Sequence, residues 1–300
     1  MSAVAQSARQ KGPIVWLDMD QQALDDAYDQ AVYAPNSLQI AKRRTANSAE
    51  VRARLKPQRL AYGSTPHEML DLYVTAKPDA PVMVFIHGGA WRAGNAADNA
   101  EAADLFVNAG AHYVVLDFIN VIEAGGSLFP MVEQVRRGVA WVYNNAKSFG
   151  GDPNRLYISG RSSGSHLGGV VLITDWAKDF GLPPDVVKGA LLSSGMYDLE
   201  PVRLSKRGAY VKFTDAMEEQ LSTQRHLERI NCPVVLAHGT YETPEFQRQT
   251  REFAAALKAA GKDVKLIVGE GYNHFEIPET MANPYGLLGR AVLELMGLNK

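Results

Sequence analysis

From Gln58 onward the chain alternates between short apolar runs and stretches long enough to be helices. The runs are LDLYV, VMVFIHGG, HYVVLDF, RLYISG, GALLSSG, PVVLAHG and VKLIVGEG. Each is rich in β-branched and aromatic residues, bounded by glycine, proline or polar residues, and too short for a typical helix. Near-continuous apolar character within a run means that both faces of the strand are buried. Such runs, spaced by helices, predict βα units that build a largely parallel sheet covered on both sides. Between Arg59 and Val74 the pattern changes to two strand-like segments joined by the turn GSTPHE, which predicts an antiparallel edge to that sheet.

Two segments interrupt the alternation. Residues 1–57 are polar and alanine-rich, with Leu24, Ala27, Tyr28 and Ala31 at helical spacing and a stop at Pro57. They read as a helical arm outside the sheet, which either covers the mouth of a site or packs on the back of the core. Residues 196–228 fall between two predicted strands and read as a small helical lid. There are no internal repeats or long linkers, so the expectation is an N-terminal helical arm at 1–57 and one α/β domain at 58–300 carrying that lid.

Composition narrows the functional classes. The 300 residues hold 31 Lys and Arg against 33 Asp and Glu, a formal net charge of -2, with the signs mixed along the chain. No basic stripe exists for nucleic acid or anionic lipid, so a small molecule is the implied partner, and a homodimer is compatible with this surface. Cys232 is the only cysteine, so no internal disulfide can form and a buried thiol is expected. The first residues lack a basic segment followed by an apolar one, and no apolar run of about 18 residues occurs. The expectation is a soluble, cytoplasmic protein with no membrane contact.

Candidate chemistry sits at strand ends. After RLYIS come Gly160-Arg161-Ser162-Ser163-Gly164 and a small-residue helix, the G-x-S-x-G pattern in the strand-turn-helix setting it requires. Such a turn strains the serine backbone, lifts its hydroxyl above the sheet and puts a helix N-terminus beneath it. Ser162 is therefore the candidate nucleophile of an α/β-hydrolase fold. HGGAWRAG, directly after the strand VMVFI, supplies glycines whose backbone N–H groups can turn toward a substrate oxygen. Gly88, Gly89 and Ser163 are the candidate oxyanion hole. His87, at the strand end, is expected to satisfy local backbone groups.

In this fold the order along the chain is serine, acid, histidine. The last strand leads into GYNHFEI, which makes His274 the candidate base; His166, on the helix under Ser162, is read as a packing residue. The acid should follow PVVLAHG. Glu242 is the first carboxylate there, Glu245 suits the start of the next helix, and Asp198 is a third candidate whose other reading is to anchor the lid. Trp91 and Phe118 either line an aromatic pocket or pack in the core. Arg161 either ties the serine turn to a buried carboxylate or faces a substrate anion.

HGGAWRAG, FGGDPNRLYISGRSSGSHL, SGMYDLEPVRLS, TPEFQRQTREFAAAL and GYNHFEI together resemble the arylformamidase (kynurenine formamidase) family and its esterase-like relatives, over most of the chain. The resemblance implies a serine hydrolase that cleaves a small ester or amide through an acyl-enzyme, with no metal or other cofactor. Three positions depart from it: Arg161 stands where the family usually has histidine, Glu242 where aspartate is usual, and FINVIEAGGSLFP where a tyrosine-arginine-leucine type of segment is usual. A non-catalytic binding protein on the same fold is the alternative, and its signature would be a lost member of the serine, histidine and acid set.

Overall fold

The computed structural model describes residues 11–299. An eight-stranded sheet forms its centre, with the order β10-β9-β8-β7-β5-β6-β4-β3. Its strands are β3 (Gln58–Ala61), β4 (Met69–Tyr73), β5 (Ala80–Ile86), β6 (His112–Leu116), β7 (Gly151–Arg161), β8 (Ala190–Ser193), β9 (Val234–Gly239) and β10 (Val264–Gly269). β3 pairs antiparallel with β4, and β4 antiparallel with β6; every pairing from β6 to β10 is parallel. The predicted antiparallel edge around GSTPHE is thus β3 and β4.

The apolar runs divide their residues between two layers because successive side chains on a strand face opposite ways. Val82, Val84 and Ile86 of β5 join one core cluster, and Met83 and Phe85 join the other. β9 splits likewise, Val234 and Leu236 against Val235 and Ala237. One layer is closed by α5 (Phe129–Asn145), α6 (Ser163–Leu172) and α10 (Pro244–Ala259), the other by α4 (Ala103–Ala109) and α11 (Leu287–Leu295). α10 shows why such a segment is helical. Thr243 caps its start, Pro244 takes the first position, and Phe246, Gln249, Thr250, Phe253 and Leu257 recur on one buried face. The short α7 (Trp176–Phe180) follows α6.

Residues 11–57 are mixed rather than wholly helical. Ahead of α1 (Gln21–Ala27), α2 (Gln30–Tyr33) and α3 (Ser37–Leu55), the run IVW pairs as β1 (Ile14–Trp16) with β2 (Met19–Asp20) across a turn at Leu17, whose φ is 49°. Part of the predicted arm, residues 1–10, lies outside the described residues. Residues 196–228 hold α8 (Glu200–Leu204), α9 (Asp215–Leu221) and single 3-10 turns. No helix of the described residues is long and apolar enough to cross a membrane. Cys232 is partly buried, and burial pushes its thiol up to about 12, so it is a protonated packing group at neutral pH.

Candidate active site

The parallel strands all end on one edge of the sheet, so residues far apart in sequence meet there. Ser162 follows β7 with φ 55° and ψ -128°, a conformation that L-residues rarely adopt. Close packing enforces it. A Cβ on Gly164 would lie 2.1 Å from the Ile86 carbonyl oxygen, and one on Gly160 would lie 2.5 Å from that of Gly164. The Ser162 N–H donates to the Ser193 carbonyl at 2.9 Å, which ties the turn to β8. Only glycine on both sides lets strand and helix approach so nearly.

His274, on the loop after β10, closes the gap between serine and acid. Its Nε2 lies 2.9 Å from Ser162 Oγ and its Nδ1 lies 2.7 Å from Glu242 Oε2. Phe246 and Phe275 meet the imidazole edge-on, at 5.0 and 5.4 Å between ring centres, and restrict its rotation. The second oxygen of Glu242 accepts from the Ser194 hydroxyl at 2.6 Å and from the Gly239 N–H at 2.7 Å. A buried carboxylate thus has three donors on its two oxygens, which satisfies it without a basic side chain. The rival acids are engaged elsewhere. Glu245 accepts from Tyr28 and Arg248, and Asp198 pairs with Arg225.

A cleft of about 910 Å³ opens over Ser162 and His274. Gly88 and Gly89 line it beside the serine, and a Cβ on Gly88 would fall 2.8 Å from the Arg161 carbonyl oxygen and 3.0 Å from Ser162 Cβ. Gly89, at φ 127°, makes the sharp turn that keeps this loop against the serine. Ser163 starts α6, where the first N–H groups have no partner within the helix and point toward the region above Ser162. Among the described residues no group of three or more His, Cys, Asp or Glu side chains is placed to hold a metal ion.

Comparison with known proteins gives the family. Residues 70–182 match the BD-FAE family model. The kynurenine formamidase of Danio rerio is 30% identical over 94% of this chain and 98% of its own length. A probable isoprenylcysteine alpha-carbonyl methylesterase of Oryza sativa is 30% identical over 72% of this chain and 57% of its own length. Among solved structures, an esterase of Thermogutta terrifontis superposes with a TM-score of 0.63 at 21% identity, covering 80% of this chain and 90% of that one. The chain belongs to the arylformamidase- and esterase-like α/β-hydrolases.

Within this hydrolase His166 and His87 are bound into the framework. His166 donates from Nε2 to the Leu221 carbonyl at 3.0 Å and accepts the Trp91 indole N–H on Nδ1 at 3.2 Å, the pattern of a neutral ring. Burial lowers its pKa to about 4. His87 donates from Nδ1 to the Gly88 carbonyl at 2.9 Å, and burial again pushes it down to about 4.

Of the two roles open to Trp91, the core is the one it occupies: it is 2% exposed and packs edge-on against His166. Phe118 stacks flat on His87 at 4.3 Å, so of its two roles it takes the packing one and braces the strand end. The cleft's aromatic walls come instead from Tyr28, Tyr210 and Phe275. Two of these stand on residues 11–57 and 196–228, where no motif points to them. Arg161 does line the cleft, but among the described residues it binds no carboxylate. Its Nε and Nη2 donate to Asn99 Oδ1 at 3.3 and 2.9 Å. Ser194 was missed altogether, although its position in SSG after an apolar strand is the one trace it leaves in the sequence.

Proposed function

We propose that this hydrolase cleaves a small carboxylic ester or an aryl formamide by transferring the acyl group to Ser162 and then to water. The reading rests on the unbroken hydrogen-bonded line Ser162, His274, Glu242 at 2.9 and 2.7 Å beside a substrate-sized cleft.

His274 Nε2 takes the Ser162 proton as Oγ attacks the carbonyl carbon, and Glu242 orients the ring and stabilises the imidazolium without taking the proton. The negative oxygen is held by N–H groups around Gly88, Gly89 and Ser163, each worth about 100- to 1,000-fold in rate. His274 then returns the proton to the departing alcohol or amine. Water, deprotonated by the same ring, attacks the acyl-enzyme and releases the acid, with Ser162 regaining its proton.

The arm and the 196–228 insertion would act as the roof of the site. Tyr28, Arg44 and Thr45 from one, with Arg207 and Tyr210 from the other, line the cleft. The relatives named kynurenine formamidase and methylesterase make an aryl formamide and a short ester the two substrates to compare.

The deciding experiment measures kcat/KM for N-formyl-L-kynurenine and p-nitrophenyl acetate with Ser162→Ala as the blank, alongside labelling by a fluorophosphonate. Preference for the formamide assigns arylformamidase activity; cleavage of the ester alone assigns an esterase. No turnover and no adduct on Ser162 in folded protein would overturn the reading in favour of a binding role.

A further inference from the structure

The walls of the cleft are unequally charged. Arg44, Arg92, Arg161, Lys206 and Arg207 line it, against the carboxylates of Asp29 and Asp98. Lys206 is paired with Asp29. None of the four arginines has a carboxylate within 4.0 Å among the described residues.

These arginines differ in what they already do. Arg207 is spent on the framework: it donates to the Tyr28 carbonyl and the Tyr210 hydroxyl at 3.2 Å each, and lies 5.5 Å from the centre of the Trp91 ring. Arg92 lies over the Tyr210 ring at 4.8 Å. Arg161 is different. It is 8% exposed, directly precedes Ser162, and spends two of its five N–H groups on a neutral amide oxygen. Arg44, reaching in from α3, has its Nε buried with no hydrogen-bond partner among the described residues.

Two arginines so placed repel each other. Burial first, and then the Arg44 charge, lower the Arg161 guanidinium to about 10, which still leaves it protonated at neutral pH. Glu101 and Asp98 favour the Arg161 charge from a distance, but neither comes within 4.0 Å of it: Glu101 Oε2 accepts from Ser48 at 3.0 Å, and Asp98 accepts from the Asn95 amide at 2.8 Å. A buried cation without a paired anion is costly, and a planar carboxylate offers two oxygens to its fork.

We propose that the substrate carries a carboxylate, bound by Arg161 and Arg44 beside Ser162. The assignment rests on Ser162 as nucleophile and adds the substrate class to it. Neutral esters would be turned over as stripped-down substrates that leave this anion site empty.

The test compares kcat/KM for matched neutral and anionic esters. p-Nitrophenyl acetate against mono-p-nitrophenyl succinate puts the charge on the acyl side, and phenyl acetate against 4-acetoxybenzoate puts it on the alcohol side. At least one anionic ester should be favoured by about tenfold or more, the equivalent of 1.4 kcal/mol. That preference should shrink between about 0.01 and 0.5 M salt. It should also collapse toward parity in Arg161→His, assayed near pH 8 where an imidazole is neutral. Arg44→Gln, on a half-exposed helix position, should reduce the same ratio and guards against misfolding of the first variant. If Ser162-dependent cleavage of neutral esters proceeds with no anionic preference, or the preference survives both substitutions, the carboxylate site is overturned and the nucleophile stands. If no ester is cleaved and fluorophosphonate leaves Ser162 unlabelled, the nucleophile reading falls and this one with it.

Discussion

Glu242 shows how much can depend on one residue. It is almost fully buried, and its two oxygens are shared among His274, Ser194 and the Gly239 N–H. Replacing the carboxylate by an amide keeps the shape but puts an N–H group where a hydrogen-bond acceptor is needed, so the imidazole loses its anchor and its counter-charge. Glu242→Gln should lower kcat about 1,000- to 10,000-fold with KM little changed, read from steady-state hydrolysis of p-nitrophenyl acetate. An effect below tenfold would remove Glu242 from the acid role. Ser194 is fully buried outside the cleft lining, so any effect it has on catalysis must pass through its bond to Glu242. Its φ of 57° adds strain that glycine would relieve. Ser194→Ala and Ser194→Gly should therefore lower kcat alike, by about tenfold, through the lost hydrogen bond to a charged group. The glycine variant should nonetheless unfold at higher denaturant than the alanine one. If only stability moves and kcat does not, Ser194 serves the fold alone.

At the scale of elements, the site depends on how closely β5, β7 and α6 approach and on how residues 11–57 hold the histidine loop. Gly164→Ala would drive a methyl group into the Ile86 carbonyl at 2.1 Å, which α6 can avoid only by moving away from the sheet and carrying Ser162 with it. The expected result is a stability loss of about 3 kcal/mol or more in guanidinium melts. Activity should fall with it in whatever fraction stays folded. Asn36, just before α3, accepts from the Asn273 amide at 2.9 Å and donates to Glu276 at 2.8 Å, on either side of His274. Asn36→Ala should cost about 1–2 kcal/mol for two lost bonds, and should lower kcat as the loop loosens. The same change with kcat intact would mean that β10 and α10 alone position the loop. The sequence carries no trace of this link, because a single asparagine between α2 and α3 matches no periodic or motif pattern. The contrast with Gly164 is physical. A glycine demanded by backbone crowding belongs to a local motif, whereas Asn36 meets its partners about 240 residues away.

For the whole molecule, what was legible followed the range of the forces involved. Strand periodicity and the elbow are local, and they sufficed for the parallel sheet, the antiparallel edge at β3 and β4, and the serine turn. His274 and Glu242 could be named because in this fold every strand delivers its last residues to one edge, so chain order stands in for distance. The cleft's walls could not be read, since Tyr28, Arg44 and Arg207 come from segments that pack over the edge by tertiary contact alone. The same packing makes acid stability a global property. His87 and His166 are both buried and neutral, with folded pKa values of about 4 against about 6.5 in the unfolded chain. Above about pH 6.5 neither state takes a proton and the two rings add no slope. As pH falls from there toward 4, only the unfolded chain gains protons, so stability must drop. Each ring can contribute up to about 1.4 kcal/mol per pH unit. Urea melts between pH 7.5 and about 4.5 should show the midpoint falling on the acid side, and His166→Gln should flatten part of that fall because an amide can serve both the Leu221 and the Trp91 bonds without titrating. A midpoint that stays level across the window, or a His166→Gln slope equal to the parent's, would mean that His166 is protonated in place and that the ring between Trp91 and Leu221 is not the neutral support on which α6 and the serine turn rest.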